Sequence, residues 1–128
     1  MKSVLMSFLL LLMYGNTFAQ CESVTIGSAT NFGPYTVETL TEWDGIRNGP
    51  NYFGATIYYP SNATAPFASI TIVPGYFSAE STIQNWGTFY ASHGIVSMTI
   101  GTNSIFEYPE YRAEALIDAL ETIKQENT

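Results

Sequence analysis

Residues 68–76 read ASITIVPGY, an apolar and β-branched run that a Pro-Gly turn stops abruptly. A stretch with helical character follows, and then a second run without polar alternation, IVSMTI, at residues 95–100. The order strand, turn, helix, strand is the beginning of an open α/β sheet. Such sheets bind ligands just beyond the carboxyl ends of their strands. A site is therefore expected at the turn that contains Tyr76.

Two earlier segments, residues 35–41 and 52–59, also have the alternation of strands, and Pro60 ends the second. We expect them to pair as an antiparallel edge. The two uniformly apolar runs, 68–73 and 95–100, would then lie centrally, because strands without alternation suit positions covered on both faces. The predicted fold class is α/β.

Two helices are expected to cover this sheet. Helix A would begin near Ser78 or Ser81, either of which can cap it, and end at Gly94. Helix B would follow Pro109. Spacing of apolar residues predicts one buried stripe on each helix. The members are Ile83, Trp86 and Tyr90 on helix A, and Leu116, Ile117, Leu120 and Ile123 on helix B.

Residues 1–19 have the pattern of a secretion signal. Lys2 precedes an apolar core at residues 4–13, and Thr17-Phe18-Ala19 supplies a cleavage site with small residues. An acylated Cys21 is the alternative, although Gln20 stands where a small residue is expected before such a cysteine. We predict a secreted protein without a membrane anchor, in which residues 20–128 form part of one domain.

Composition narrows the classes of partner. The chain carries eleven carboxylates against four cations, a net charge of −7, which disfavours nucleic acid and anionic membranes. Cys21 is the only cysteine and His93 the only histidine. A metal site or a cysteine nucleophile would lack partner residues, so no metal and no cofactor are expected. His93 is interpreted as structural, since it lies at a helix end before Gly94.

A series of short motifs resembles the cutinase-like polyester hydrolases, including the poly(ethylene terephthalate) hydrolases, of the α/β-hydrolase superfamily. Each motif is short, and their order over roughly ninety positions carries the resemblance. They are Gly33-Pro34-Tyr35-Thr36-Val37, Ala55-Thr56-Ile57-Tyr58-Tyr59-Pro60, Pro74-Gly75-Tyr76, Ser81-Thr82-Ile83, Trp86-Gly87, Ala91-Ser92-His93-Gly94, Thr99-Ile100, Thr102-Asn103, Pro109 and Arg112.

The resemblance implies a serine carboxylic-ester hydrolase that acts by acyl transfer on polyesters, cutin-like polymers or lipids. The backbone N–H of Tyr76 would be one oxyanion-hole donor, and the Tyr76 ring would form a wall of the acyl pocket. Phe77, where relatives often have Thr, would make the cleft more apolar. Gly101 stands where relatives frequently have Asp, which leaves the geometry of that loop open.

No G-x-S-x-G motif, which would carry the nucleophile, occurs in the sequence. We therefore expect an incomplete sheet, the N-terminal half of an α/β-hydrolase domain, inactive alone and monomeric at full length. The alternative function is a small secreted module that binds a polymer or glycan through exposed aromatic residues, since aromatics make up 15% of the chain.

Overall fold

The computed structural model describes residues 30–126. The predicted signal sequence and Cys21 lie outside these residues. The described part holds four strands and two helices, with single 3-10 turns at Glu42–Asp44 and Glu80–Thr82. In chain order the elements are β1 (Val37–Thr41), β2 (Ala55–Pro60), β3 (Ala68–Ile72), α1 (Gln84–Ser92), β4 (Ile95–Ile100) and α2 (Pro109–Glu126).

The strands form one mixed sheet in the order β1-β2-β4-β3. The antiparallel edge pair is confirmed, since β1 pairs with β2 with Val37 opposite Pro60. β4 runs antiparallel to β2 and parallel to β3. Of the two apolar runs, only β4 is central. β3 lies at an edge of the described sheet and is partly exposed, so its expected central position is not observed.

Helices α1 and α2 cover opposite faces of the sheet, and alternation along each strand sorts its side chains between them. The face under α2 carries the hydrophobic core, in which Ile57, Met98 and Ile100 pack against Ala119 and Ile123. The other face carries Tyr58, Ser97 and Thr99 under α1, where the Ser97 hydroxyl donates to the Gly87 carbonyl. The three layers are those expected of an α/β domain.

Helix α1 begins later than predicted and buries a different face. Ile83 precedes it without a side-chain cap, so neither Ser78 nor Ser81 caps the helix. The predicted buried stripe is wrong at Trp86, which is 54% exposed. The helix buries Gly87, Ala91 and Ser92 instead. A Cβ on Gly87 would lie 2.4 Å from the Tyr58 ring, so the helix approaches the sheet through its small residues.

Helix α2 likewise packs through residues that the apolar stripe did not predict. Of that stripe only Ile123 is buried, and Ile117 and Leu120 are exposed. The buried positions are Arg112, Ala115, Ala119, Thr122 and Ile123. No helix within residues 30–126 is both long and apolar enough to cross a membrane.

A close backbone contact joins β4 to the segment before β2. The N–H of Gly101 donates to the carbonyl of Gly54, and the N–H of Phe53 donates to the carbonyl of Gly101. A Cβ at Gly101 would lie 2.3 Å from the Phe53 carbonyl oxygen. This contact requires glycine at position 101.

Candidate functional site

The turn after β3 brings two aromatic side chains to the surface. Pro74 is fully buried, whereas Tyr76 and Phe77 are 64% and 65% exposed. Phe77 has a φ of 60° and is the one non-glycine residue with positive φ in the described chain. Such a backbone costs on the order of 1–3 kcal/mol and persists only where the surroundings impose it. The turn is therefore a constrained structure.

The backbone N–H groups of this turn differ in their partners. The N–H of Phe77 donates to the Ile105 carbonyl at 2.8 Å, and that of Ser78 donates to the Gly75 carbonyl at 3.2 Å. Within residues 30–126, no protein acceptor receives the N–H of Tyr76. This amide lies just beyond the carboxyl end of β3, which is a parallel strand.

A third exposed ring, which the sequence did not reveal as part of the site, adjoins the first two. The centroid of the Phe106 ring lies 6.3 Å from that of Tyr76 in an edge arrangement and 5.4 Å from that of Phe77 in a tilted one. Both distances are in the range of favourable aromatic pairs. Tyr76, Phe77 and Phe106 are called the aromatic cluster below.

Arg112 fixes the two loops that carry the aromatic cluster. Its guanidinium, on the buried face of α2, donates from Nη1 to the Pro74 carbonyl. It also donates from Nη2 to the Ile105 carbonyl and from Nε to the Glu107 carbonyl, both at 3.1 Å. Arg112 is 8% exposed, and no carboxylate among the described residues forms an ion pair with it. Carbonyl dipoles from both loops therefore surround its charge.

Glu80, which follows the same turn, is hydrogen-bonded to the central strand β4. Its Oε1 accepts a hydrogen bond from the Thr99 hydroxyl at 2.6 Å. Burial raises the pKa of the neighbouring Tyr58 phenol, and the Glu80 carboxylate adds to that rise, whereas hydrogen bonding to Thr99 opposes it.

His93 lies at the opposite end of the sheet. Its Nε2 is 3.0 Å from the Asn31 carbonyl oxygen, and its ring packs edge-on against Phe89. The hydroxyl of Ser92 donates to the Phe89 carbonyl and accepts from the Gly33 N–H. These contacts agree with the structural interpretation of His93. In residues 30–126 no three His, Cys, Asp or Glu side chains are grouped to hold a metal ion.

Comparison with known proteins places the chain in a family. The family model described as "PETase: PET hydrolase-like" matches residues 20–128. The chain belongs to the PET hydrolase-like family. The expected resemblance to cutinase-like polyester hydrolases is confirmed.

Three relatives illustrate the similarity of this PET hydrolase-like chain to characterised proteins. Lipase 1 of Moraxella sp. (strain TA144) is 35% identical over 83% of this chain and 33% of its own length. The bis(hydroxyethyl) terephthalate hydrolase of Streptomyces coelicolor is 36% identical over 70% of this chain and 28% of its own. Cutinase 1 of Thermobifida cellulosilytica is 42% identical over 69% of this chain and 32% of its own length. The chain thus spans about a third of the length of these relatives.

Proposed function

We propose that this chain supplies the oxyanion-hole loop of a secreted serine carboxylic-ester hydrolase. The substrates would be polyesters, cutin-like polymers or lipid esters. Residues 20–128 would form the N-terminal part of the catalytic domain, and the serine, aspartate and histidine would lie on polypeptide that follows them. Supporting this are the family match and the names of the relatives, a lipase, a cutinase and a terephthalate-ester hydrolase.

The observation that carries the proposal is the unpaired N–H of Tyr76. In acyl transfer the serine hydroxyl gives its proton to the histidine, which later passes it to the leaving alcohol. The serine oxygen bonds to the ester carbonyl carbon, whose π bond breaks so that the carbonyl oxygen becomes an anion. The Tyr76 N–H and the N–H of the residue after the serine would donate to that oxygen. Collapse then expels the alcohol, and water releases the acid from the acyl-enzyme. One such donor stabilises the transition state by roughly 2.7–4 kcal/mol.

The exposed rings of Tyr76 and Phe77 suit the acyl side of such a site. Together they place apolar surface next to the free amide, and aromatic faces bind aromatic or aliphatic acid units without requiring a charged partner. Neither side chain carries a charge that would lose its hydration when a neutral ester packs against it. The chain's net charge of −7 is consistent with an uncharged polymer as substrate.

Comparing two variants of the whole protein separates the Tyr76 amide from its ring. Tyr76→Pro removes both the N–H and the ring, and it should have a kcat about 10²–10³-fold below that of Tyr76→Ala on every ester. Tyr76→Ala keeps the N–H and should lower turnover of bulky aromatic esters more than that of acetate esters. Melting temperatures of both variants serve as the control for folding.

The decisive measurements are kcat and KM on p-nitrophenyl acetate and p-nitrophenyl benzoate, with a serine-directed inhibitor as a check of mechanism. Residues 20–128 alone should release no p-nitrophenol. A Tyr76→Pro variant that folds and keeps full kcat would remove the amide from the mechanism. A coding sequence that continues without a G-x-S-x-G motif would remove the serine hydrolase assignment.

The alternative to an ester hydrolase is a secreted module that binds a polymer or glycan, and the same experiments test it. Trp43 and Phe53 are both highly exposed and would provide stacking surfaces. Retention of the chain on a polysaccharide column, together with inactivity of the whole protein on all esters, would favour that function.

A further inference from the structure

The peptide group that carries the Tyr76 N–H is held through its own carbonyl. This group joins Gly75 to Tyr76, and the Gly75 carbonyl accepts from the Ser78 N–H at 3.2 Å. In a trans peptide the N–H points in the direction opposite to the carbonyl. The hydrogen bond from Ser78 therefore sets the line along which the Tyr76 N–H points.

The peptide groups on either side are anchored to the loop after β4, and both anchors meet at one guanidinium. The Pro74 carbonyl, one peptide group earlier, accepts from Nη1 of Arg112. The Phe77 N–H, one peptide group later, donates to the Ile105 carbonyl at 2.8 Å. That same Ile105 carbonyl accepts from Nη2 of Arg112 at 3.1 Å. Because the guanidinium is a rigid plane, it fixes the two anchors relative to each other.

The turn itself does little to hold this peptide group in place. Gly75 precedes it, and glycine allows more backbone rotation than other residues. A Cβ at Gly75 would meet nothing within 4 Å, so packing does not restrict the position either. Phe77 follows with a φ of 60°, a backbone that persists only where the surroundings impose it. The direction of the Tyr76 N–H thus depends on the hydrogen bonds that meet at Arg112.

We infer that Arg112 is a positioning residue for ester hydrolysis, which from its buried place on α2 holds the Tyr76 N–H towards the oxyanion. The inference rests on the proposed function and extends it from the donor to the group that orients the donor. An oxyanion-hole donor acts chiefly on the negative oxygen that forms in the transition state. A donor that loses its orientation should therefore lower kcat and kcat/KM together and leave KM nearly unchanged.

The first test is kcat and KM of Arg112→Lys on p-nitrophenyl acetate, measured on the whole protein below its melting temperature and expressed per folded molecule. One ammonium cannot reproduce the planar fork that reaches both loops. The kcat should fall by about 10–100-fold, as misplacement of a reacting group does, while KM stays within about twofold. Circular dichroism gives the folded fraction, so a loss of folded protein is not counted as a loss of kcat.

A double-variant cycle with Tyr76→Pro provides a readout that a merely structural arginine would not change. In the Tyr76→Pro background the donor is already absent, so Arg112→Lys should lower kcat there by less than about threefold. The melting temperature should fall by similar amounts in both backgrounds, because the contacts of Arg112 with the Pro74, Ile105 and Glu107 carbonyls are lost in either case.

Ser92→Ala is the matched control for lost stability. It removes a hydroxyl that bonds the Phe89 carbonyl and the Gly33 N–H at the opposite end of the sheet. It should lower the melting temperature and leave kcat within about twofold, as expected of a distant and independent site.

Three results would overturn the inference while the hydrolase function stands. They are an unchanged kcat per folded Arg112→Lys molecule, an equal fall of kcat in both backgrounds of the cycle, and the same fall of kcat in Ser92→Ala. Absence of turnover by the parent protein on p-nitrophenyl acetate would instead overturn the proposed function, and the inference with it.

Discussion

The two ends of the sheet differ in the partners of their backbone N–H groups and in the exposure of their side chains. At one, here called the closed end, β1 and β4 begin and β2 ends, and backbone N–H groups find partners across segments. These are Gly33 N–H to the Ser92 hydroxyl, Tyr35 N–H to the Ser92 carbonyl, Thr36 N–H to the Asn62 side chain, and Ser61 N–H to the Thr36 carbonyl. At the other, the site end, β3 and β4 finish, the Tyr76 amide has no acceptor among the described residues, and the three rings of the aromatic cluster are exposed.

The difference shows how a fold can support an end of the sheet whose loops carry exposed side chains. The left-handed backbone of Phe77 destabilises the site end, so this end requires support from the rest of the fold. Arg112 supplies that support through three carbonyl groups, and it does so from the buried face of α2. At the closed end, the four hydrogen bonds named above join backbone groups to one another and to the short side chains of Ser92 and Asn62.

The largest effect is expected at the support of the site end. Arg112→Ala leaves three carbonyl groups without their charged donor and should lower the free energy of unfolding by about 3–5 kcal/mol. Urea unfolding, followed by circular dichroism, measures it. Arg112→Lys should recover only part of the loss, because one ammonium cannot reproduce the planar fork of donors. A loss below about 1 kcal/mol in Arg112→Ala would mean that the two loops hold each other without it.

A pair of glycines compares the two ends directly. A Cβ on Gly33 at the closed end would lie 2.0 Å from the Ser92 carbonyl oxygen, whereas one on Gly75 at the site end would meet nothing within 4 Å. Gly33→Ala should therefore cost about 1–3 kcal/mol of unfolding free energy, as overpacking does. Gly75→Ala should stay within about 0.5 kcal/mol of the parent. Similar values for both variants would contradict the contrast in packing.

A smaller effect is expected for a single hydroxyl at the closed end. Ser92→Ala removes a donor to the Phe89 carbonyl at 2.6 Å and leaves the Gly33 N–H without its acceptor. The loss should be about 1–2 kcal/mol, because an unsatisfied group near the core remains. Ser61→Ala, which removes an exposed hydroxyl that bonds the Thr36 carbonyl at 3.3 Å, is the control and should cost less than about 0.5 kcal/mol. Thermal unfolding distinguishes them, and equal melting temperatures would refute the assignment.

The sequence predicted the strands well and the helix faces poorly, for one physical reason. β-branched runs bounded by Pro and Gly define strands locally, and β4 occupies residues 95–100 as expected. Which face a helix buries depends on how close it approaches the sheet. Gly87 allows α1 to rest on the Tyr58 ring, a fit between distant residues that apolar spacing does not encode.

The candidate site also has a part that the sequence predicted and a part that it did not. The turn at Tyr76 follows from a strand that stops at Pro-Gly, so its position was predictable, and the roles of Tyr76 and Phe77 stay predictions. Phe106 and Arg112 join the site only through contacts across the chain, such as that between Pro74 and Arg112, 38 residues apart. A buried arginine also runs against the usual exposure of that residue type. Its one sequence signal was its place in the series of family motifs.

The contact at Gly101 has a consequence for exchanging parts with relatives. A residue with a Cβ cannot occupy it while the Phe53 carbonyl lies where that Cβ would be. Position 101 and the segment that leads into β2 can therefore be exchanged only together. A chimaera that takes from a relative a residue larger than glycine at position 101 must take that relative's preceding loop as well.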